Sequence, residues 1–142
     1  MNIPEIVKQL NIPLEKCVVV SSGTLEILGI RKADDVDLAV SKELYNELCN
    51  DTRFEHVPCD LGGDNLRIIV NGKKVDVMPK LHWNEFPKTA EDVIKNAFQV
   101  DGVNFMSLND LKEFKTALGR EKDFNDLKLI EVYENGENKF LR

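Results

Sequence analysis

The chain has 142 residues, 42% of them hydrophobic, and a formal net charge of −6 at pH 7. This length and apolar content are those of one folded domain with a real core, and they exclude an intrinsically disordered chain. No apolar run approaches the roughly 18 residues that span a bilayer, so we expect no membrane partner. The acidic charge disfavours binding of nucleic acid through a general basic field.

The cysteines and the first residues indicate the compartment. Cys17, Cys49 and Cys59 are odd in number and lack metal-type spacing, which favours free thiols in a reducing environment. The first ten residues, MNIPEIVKQL, carry charge early and lack the long apolar block of a secretory signal. We therefore expect a cytoplasmic protein.

Short helices and strands alternate in the first third of the chain. Pro13 ends a first helix, and the run CVVV is apolar without alternation, which is typical of a strand buried on both faces. The predicted elements are a helix over 3–10, a strand over 17–20, a helix opened by Ser21-Ser22-Gly23-Thr24 and closed by Gly29, a strand over 35–40, and a helix over 41–49 capped by Ser41.

The segment LRIIVNGKKVDVM, residues 66–78, predicts a β-hairpin. Asn71-Gly72 is the preferred two-residue type I′ turn, and it sets the register so that Arg67 faces Asp76. Side chains alternate between the two faces of a strand, so Asp76 falls on the more polar face of the sheet.

The last third predicts a second hairpin and two helices. The hairpin covers 97–106 with its turn at Asp101-Gly102, and residues 91–96 before it are either a short helix or a strand. Ser107-Leu-Asn-Asp110 is a capping-box pattern that opens a helix ending at Gly119. The predicted apolar stripes are Leu108, Leu111, Phe114 and Leu118 in the first helix, and Phe124, Leu127, Ile130 and Tyr133 in the second.

These elements predict a mixed β-sheet with flanking helices, an α+β (α/β-like) fold. We expect a single domain over residues 1–142, with its core over about 14–106 and its C-terminal helices over about 107–135.

Two carboxylates stand out on the predicted strand over 35–40. Its apolar residues point to one side and Asp35 and Asp37 to the other, where like charges repel unless solvent screens them or a cation lies between them. Mg²⁺ fits, because it takes few hard oxygen ligands from protein and completes its shell with phosphate and water. Asp76 is the candidate third carboxylate, and the backbone N–H groups at Gly23-Thr24 suit a triphosphate.

Each feature also has a simpler interpretation. Asp-x-Asp on a strand is most often a solvated face, a Ser/Gly/Thr helix start is most often a cap, and Asp76 opposite Arg67 could be only a cross-strand ion pair. Lys112, Lys115, Asp123 and Asp126 could be the solvated faces of two helices. His56 and His82 are interpreted as surface or loop histidines, and Trp83 as core or rim packing in preference to base stacking.

The order of Gly23-Thr24, Asp35-Val-Asp37-Leu and Asp76 resembles the DNA polymerase β-type nucleotidyltransferase superfamily. The signature of that superfamily is Gly-Ser, a spacer, two acidic residues around an apolar one, and a third acidic residue. The tail over 107–130 resembles the helical end of bacterial nucleotidyltransferase-like proteins, including abortive-infection-type toxins. In those proteins a Lys precedes an Arg/Lys-Asp-x-x-Asp run, and the matching residues here are Lys115, Arg120, Lys122, Asp123 and Asp126.

The resemblance implies a nucleotidyltransferase fold with a cleft between the sheet and the C-terminal helices. Asp35 and Asp37 would hold two Mg²⁺ ions, and Asp76 would hold the catalytic ion and help to deprotonate an acceptor hydroxyl. The nucleotide-binding residues that it implies are Ser22, Gly23, Thr24, Lys115 and Asp123. Ser22 stands where a first glycine is common, and Thr24 replaces a serine.

The expected activity is Mg²⁺-dependent transfer of an NMP from an NTP, ATP among them, to a hydroxyl with release of pyrophosphate. The acceptor is left open between a small molecule, a protein side chain and an RNA end. The toxin relatives carry a further substrate-binding region for which this chain has little room, so a homodimer or a partner protein is an open alternative. The rival hypothesis is a catalytically idle nucleotide-binding or protein-partner module of the same fold.

Overall fold

A mixed β-sheet of seven strands forms the centre of the computed structural model. The structure describes residues 1–58, 64–79, 81 and 86–140, with backbone only at 137–140, so Cys59, His82 and Trp83 lie outside the described residues. The strands are β1 (Cys17–Val20), β2 (Val36–Val40), β3 (Glu55–Pro58), β4 (Asp64–Val70), β5 (Lys73–Met78), β6 (Phe98–Val100) and β7 (Val103–Phe105). The helices are α1 (Ile3–Lys8), α2 (Ser22–Ile27), α3 (Lys42–Leu48), α4 (Ala90–Asn96), α5 (Leu108–Leu118) and α6 (Glu121–Phe140), with a 3-10 turn at Leu14–Lys16.

The strand order brings distant parts of the chain together. It is β3–β4–β5–β2–β1–β7–β6, with β1 antiparallel to β2, β2 parallel to β5 and β1 parallel to β7. The predicted α+β class with a mixed sheet is therefore confirmed. Because β2 and β5 are neighbours, residues from two distant segments can meet on one face of the sheet.

Apolar layers cover both faces of this sheet. On β1, Cys17 and Val19 point into one layer, which packs α1 and α3, while Val18 and Val20 point into the other, which packs α4, α5 and α6. The prediction that CVVV is buried on both faces is thus confirmed. No helix among the described residues has the length and apolar content needed to cross a membrane.

Both predicted hairpins are confirmed. Arg67 is the register partner of Asp76, as the Asn71-Gly72 turn requires, and the two turn residues have φ values of 52° and 76°. The second hairpin joins β6 to β7 through Asp101-Gly102. These two turn residues also have positive φ values, 50° and 80°. Residues 91–96, which the sequence left open, are helical and belong to α4.

The structure differs from the sequence predictions in three places. Strand β3 was not predicted, because its mostly exposed residues have no apolar alternation. Phe124 does not line the core: its side chain is 49% exposed, and α6 instead buries Asp123 and Asp126 with Ile130. The capping box at Ser107 is only half formed, since the Ser107 hydroxyl accepts from the Asp110 N–H while the Asp110 carboxylate accepts from Lys88 and Asn96.

Gly23 has a packing role in α2. An ideal Cβ at this position would lie 2.2 Å from Cγ1 of Val19 on β1, closer than any real contact of this kind. The absence of a side chain is therefore what lets α2 approach β1 closely. The backbone at Gly23 has an ordinary φ, so the requirement is for space and not for an unusual conformation.

We expect Gly23→Ala to lower the free energy of unfolding by about 1–3 kcal/mol, because the new methyl group overpacks against Val19. The matched control is Gly136→Ala in α6, where a Cβ meets nothing within 4 Å. That change should be neutral or stabilising by up to about 1 kcal/mol, since alanine favours a helix. Urea unfolding of both variants measures the difference, and equal effects would contradict the packing role.

Candidate active site

Four charged residues lie in one row across the sheet. Asp37 on β2 is the register partner of Asp76 on β5, Asp76 is the partner of Arg67 on β4, and Arg67 is the partner of Glu55 on β3. Register partners lie side by side with their side chains on the same face. Two of the three carboxylates that the sequence singled out are thus neighbours on one face of the sheet.

Asp76 is held by Arg67. Nε and Nη2 of Arg67 donate to the two carboxylate oxygens of Asp76 at 2.7 and 3.1 Å, and the two side chains are 28% and 16% exposed. Hydrogen bonding to Asp76, followed by its charge, raises the pKa of Arg67. The cross-strand ion pair that the sequence left as an alternative is therefore present.

Asp37 carries an unfavourable negative charge. Its pKa is raised to about 6, first by burial and then by the charges of Asp76 and Asp35, and this outweighs the opposite effect of Lys115 and Lys122. A carboxylate in this situation gains stability from any cation that binds beside it. Asp37 is for this reason the strongest single pointer to a cation site.

The donor chemistry of the row fits Mg²⁺, which prefers carboxylate oxygens. Asp37 and Asp76 offer these oxygens side by side. Asp35 precedes β2 and influences Asp37 through its charge, although it is not on the cleft wall. No group of three acidic, histidine or cysteine side chains among the described residues is already arranged to hold a metal. Metal binding by all three aspartates stays a prediction.

A cleft of about 590 Å³ separates the sheet from the C-terminal helices. One wall belongs to the sheet and carries Asp37, Asp76 and Arg67. The opposite wall carries basic and acidic side chains of α5, α6 and the turn between them. The lining residues are Ser21, Ser22, Arg31, Asp37, Pro58, Asn65, Arg67, Asp76, Met78, Phe114, Lys115, Leu118, Arg120, Lys122, Asp123 and Asp126.

A buried charge network forms the helical wall. Lys115 is 3% exposed, and its Nζ lies 2.8 Å from Asp126 and 3.5 Å from Asp123. Arg31 donates twice to Asp126, at 2.7 and 2.9 Å, and Arg120 donates twice to Asp123, at 2.6 and 3.1 Å. Solvated faces are therefore the wrong interpretation for Lys115, Asp123 and Asp126.

The network keeps both of its aspartates ionised. Burial alone would raise the pKa of Asp126, but the hydrogen bonds from Arg31 and Lys115 outweigh burial and lower it. The pKa of Asp123 is lowered for the same reason, with Arg120 as the main donor. Three cations thus surround two carboxylates.

The Ser21-to-Thr24 turn differs in part from expectation. Ser22 lines the cleft, but Thr24 is fully buried and its hydroxyl donates to the Met106 carbonyl at 2.9 Å. The hydroxyl of Thr24, a predicted nucleotide-binding residue, is thus engaged within the fold, and Gly23 has a packing role. Ser21, which also lines the cleft, has φ 58° and ψ −130°, a conformation rare for any residue except glycine.

Sequence reasoning did not select Arg31, Ser21 or Asn65 as site residues. Arg31 reaches Asp126 across 95 positions of sequence, and no local pattern announces such a pair. Asn65 shares a face with Arg67, two residues away on β4, so the hairpin register could have placed it in the cleft.

The chain is similar to the crystal structure of a Thermotoga maritima protein whose assignment as a nucleotidyltransferase is provisional, with a TM-score of 0.55 and 16% sequence identity over 94% of this chain and 91% of that one. No protein-family model and no curated protein matches the chain. A likeness at this identity shows the fold alone, so the chain has a nucleotidyltransferase fold, in agreement with the sequence resemblance. The activity has to be inferred from the residues of the site.

We expect Asp37→Asn to raise the free energy of unfolding without metal, by about 1–3 kcal/mol near pH 7.5. The raised pKa of Asp37 means that the folded state takes up a proton that the unfolded state does not, so the ionised side chain destabilises the fold above about pH 6. The gain should shrink towards zero as the pH falls to about 4, where both states are protonated. Urea unfolding at several pH values measures this.

The control for that experiment is Asp34→Asn, which removes an exposed carboxylate three positions earlier. It should change the unfolding free energy by less than about 0.5 kcal/mol at any of these pH values. Asp37 would instead be a structural residue if its substitution lowered stability near pH 7.5.

We expect Lys115→Met to lower the free energy of unfolding by about 2–4 kcal/mol, because it leaves two buried carboxylates with one cation fewer. Lys112→Met is the matched control on the same helix. Lys112 pairs with Glu134 where both side chains are 36% exposed, so its loss should cost less than about 1 kcal/mol. Chemical denaturation compares the two, and similar small losses would show that the network adds little stability.

Proposed function

We propose that the protein is a Mg²⁺-dependent nucleotidyltransferase that moves an NMP from an NTP to a hydroxyl group and releases pyrophosphate. The observation that carries this proposal is the pairing of Asp37 with Asp76 on the sheet wall of the cleft, opposite a helical wall that is rich in cations. The nucleotidyltransferase fold supports it. The volume of about 590 Å³ falls in the range of small-molecule sites.

The sheet wall would supply the metal ligands. Asp37 and Asp76 would hold the ions, and Asp35, which lies just before β2, would be the third carboxylate. Bound Mg²⁺ would neutralise charge on the attacking and leaving oxygens of the reacting phosphate. The Asp76 carboxylate would accept the proton of the acceptor hydroxyl.

The helical wall would bind the triphosphate. Lys122 is exposed and near enough to Asp37 to act on its charge, so it can reach both the site and a bound phosphate. Lys115 and Arg120 line the same wall, but the network already engages them. We therefore assign the first phosphate contact to Lys122, and to Lys115 the role of holding the wall positive. Ser21 and Ser22 would add hydroxyl donors.

A second candidate is a catalytically idle nucleotide-binding or protein-partner module. The observation that favours it is the engagement of both Asp76 oxygens by Arg67, together with the lack of a ready three-carboxylate metal site among the described residues. Such a protein would bind a nucleotide through the helical wall and would not need the metal.

The deciding experiment is calorimetric titration with each NTP, with and without Mg²⁺, followed by assay of pyrophosphate release. We expect binding that requires Mg²⁺, and we expect Asp76→Asn to abolish transfer while leaving the protein folded. Lys122→Ala should weaken NTP binding at least about tenfold, roughly 1.4 kcal/mol, without loss of stability. Lys128→Ala, an exposed lysine of the same helix outside the cleft lining, should change binding less than about twofold.

Metal-independent binding of the NTP, without release of pyrophosphate, would favour the idle module. Equal effects of the two lysine substitutions would show that Lys122 is not the phosphate contact. The acceptor, which we propose to be a small molecule, a protein side chain or an RNA end, can be sought in the same assay. Radiolabel that moves from the α-phosphate of the NTP to the protein itself or to an added RNA would separate these classes.

A further inference from the structure

Arg67 occupies the carboxylate that a divalent ion would use. It donates to both oxygens of Asp76, at 2.7 and 3.1 Å, in the bidentate geometry that makes guanidinium–carboxylate pairs strong. A guanidinium and a divalent ion on one carboxylate repel each other, so the two cations compete. Full use of Asp76 by a metal requires the guanidinium to withdraw from at least one oxygen.

A second carboxylate is in position to receive the displaced side chain. Glu55 on β3 is the register partner of Arg67 on the side opposite to Asp76, and its side chain lies on the same face of the sheet. Glu55 is exposed, and β3 is an edge strand of the sheet, so a pair with Glu55 forms without burial of charge. After Asp76, the charge of Glu55 is the next to raise the pKa of Arg67.

We propose that Arg67 is an internal counter-cation of the site, and that binding of a divalent ion moves its guanidinium from Asp76 to Glu55. The inference rests on the proposed function, because it concerns the metal site of the same cleft. In the absence of metal, Arg67 neutralises Asp76 beside the partly buried Asp37. Arg67 is thus a positioning residue that acts through Asp76.

The exchange has a thermodynamic consequence. A ligand that binds only a minor arrangement shows an affinity reduced by the population of that arrangement. The Arg67–Asp76 pair therefore weakens metal binding by the free energy needed to open it, while the pair with Glu55 recovers a part. Removal of Arg67 should tighten metal binding, although it removes a contact from the metal-free protein.

The test is titration of Mn²⁺ or Mg²⁺ into the full chain without nucleotide. Arg67→Met should bind the ion at least about tenfold more tightly than the wild type, which corresponds to about 1.4 kcal/mol. The matched control is Lys74→Met, which removes an equal charge from an exposed position two residues before Asp76 on the same face. Its effect should stay below about twofold, since the ion-pair partner of Asp76 is Arg67.

A double-mutant cycle tests the role of Glu55. Glu55→Gln should weaken metal binding about threefold in the wild type, because the displaced guanidinium loses its second partner. In the Arg67→Met background the same change should have no effect. An equal effect in both backgrounds would show that Glu55 acts only through its charge and would overturn the exchange.

Other outcomes are equally decisive. Equal effects of Arg67→Met and Lys74→Met would show a general effect of charge and would overturn the proposal. Weaker metal binding by Arg67→Met would also overturn it, because Arg67 would then orient Asp76 for the metal. If neither the wild type nor any variant bound the ion, both the exchange and the metal-dependent function would be overturned. If Arg67→Met bound the ion with the same affinity as the wild type, only the exchange would be overturned. If Arg67→Met does not fold, Arg67→Lys, which cannot form the bidentate pair, should bind the ion about threefold more tightly than the wild type.

Discussion

The parallel pairing of β2 with β5 is the constraint on which the rest of the site depends. On the buried face, Val36 pairs with Val75 and Leu38 with Val77, and all four side chains are fully buried. This apolar contact fixes the register, because a slip of one residue would turn Asp37 into the core. The hydrophobic contacts on the opposite face of these two strands thus position the site, although the negative charges of Asp37 and Asp76 repel each other.

The two walls of the cleft handle charge differently. The helical wall balances its buried aspartates with Lys115, Arg31 and Arg120, so its ions are compensated within the protein. Among the described residues, the sheet wall leaves the charge of Asp37 without an ion-pair partner and pairs Asp76 with Arg67 of the neighbouring strand. A molecule that brings its own cation and its own negative charge, as a metal–nucleotide complex does, complements both walls at once.

Local rules predicted the parts of this structure that local chemistry determines. The Asn71-Gly72 turn was enough to pair Arg67 with Asp76, since such a turn fixes the register of its hairpin. Helical periodicity failed at Phe124, because it treats charged residues as outward-facing, whereas Asp123 and Asp126 are buried against partners from other segments. Those partners, Arg31 above all, come from the tertiary fold, as does the exposed strand β3.

The position of β1 in the sheet also bears on how the chain is made. Its neighbours are β2, which follows it closely, and β7, which ends at Phe105. During synthesis from the N-terminus, one edge of this fully apolar strand stays open until most of the chain has left the ribosome. Non-local parallel pairing of this kind folds slowly, and an open apolar edge can pair with other chains. Until β7 is made, the open edge of β1 is therefore a place where copies of the chain can associate.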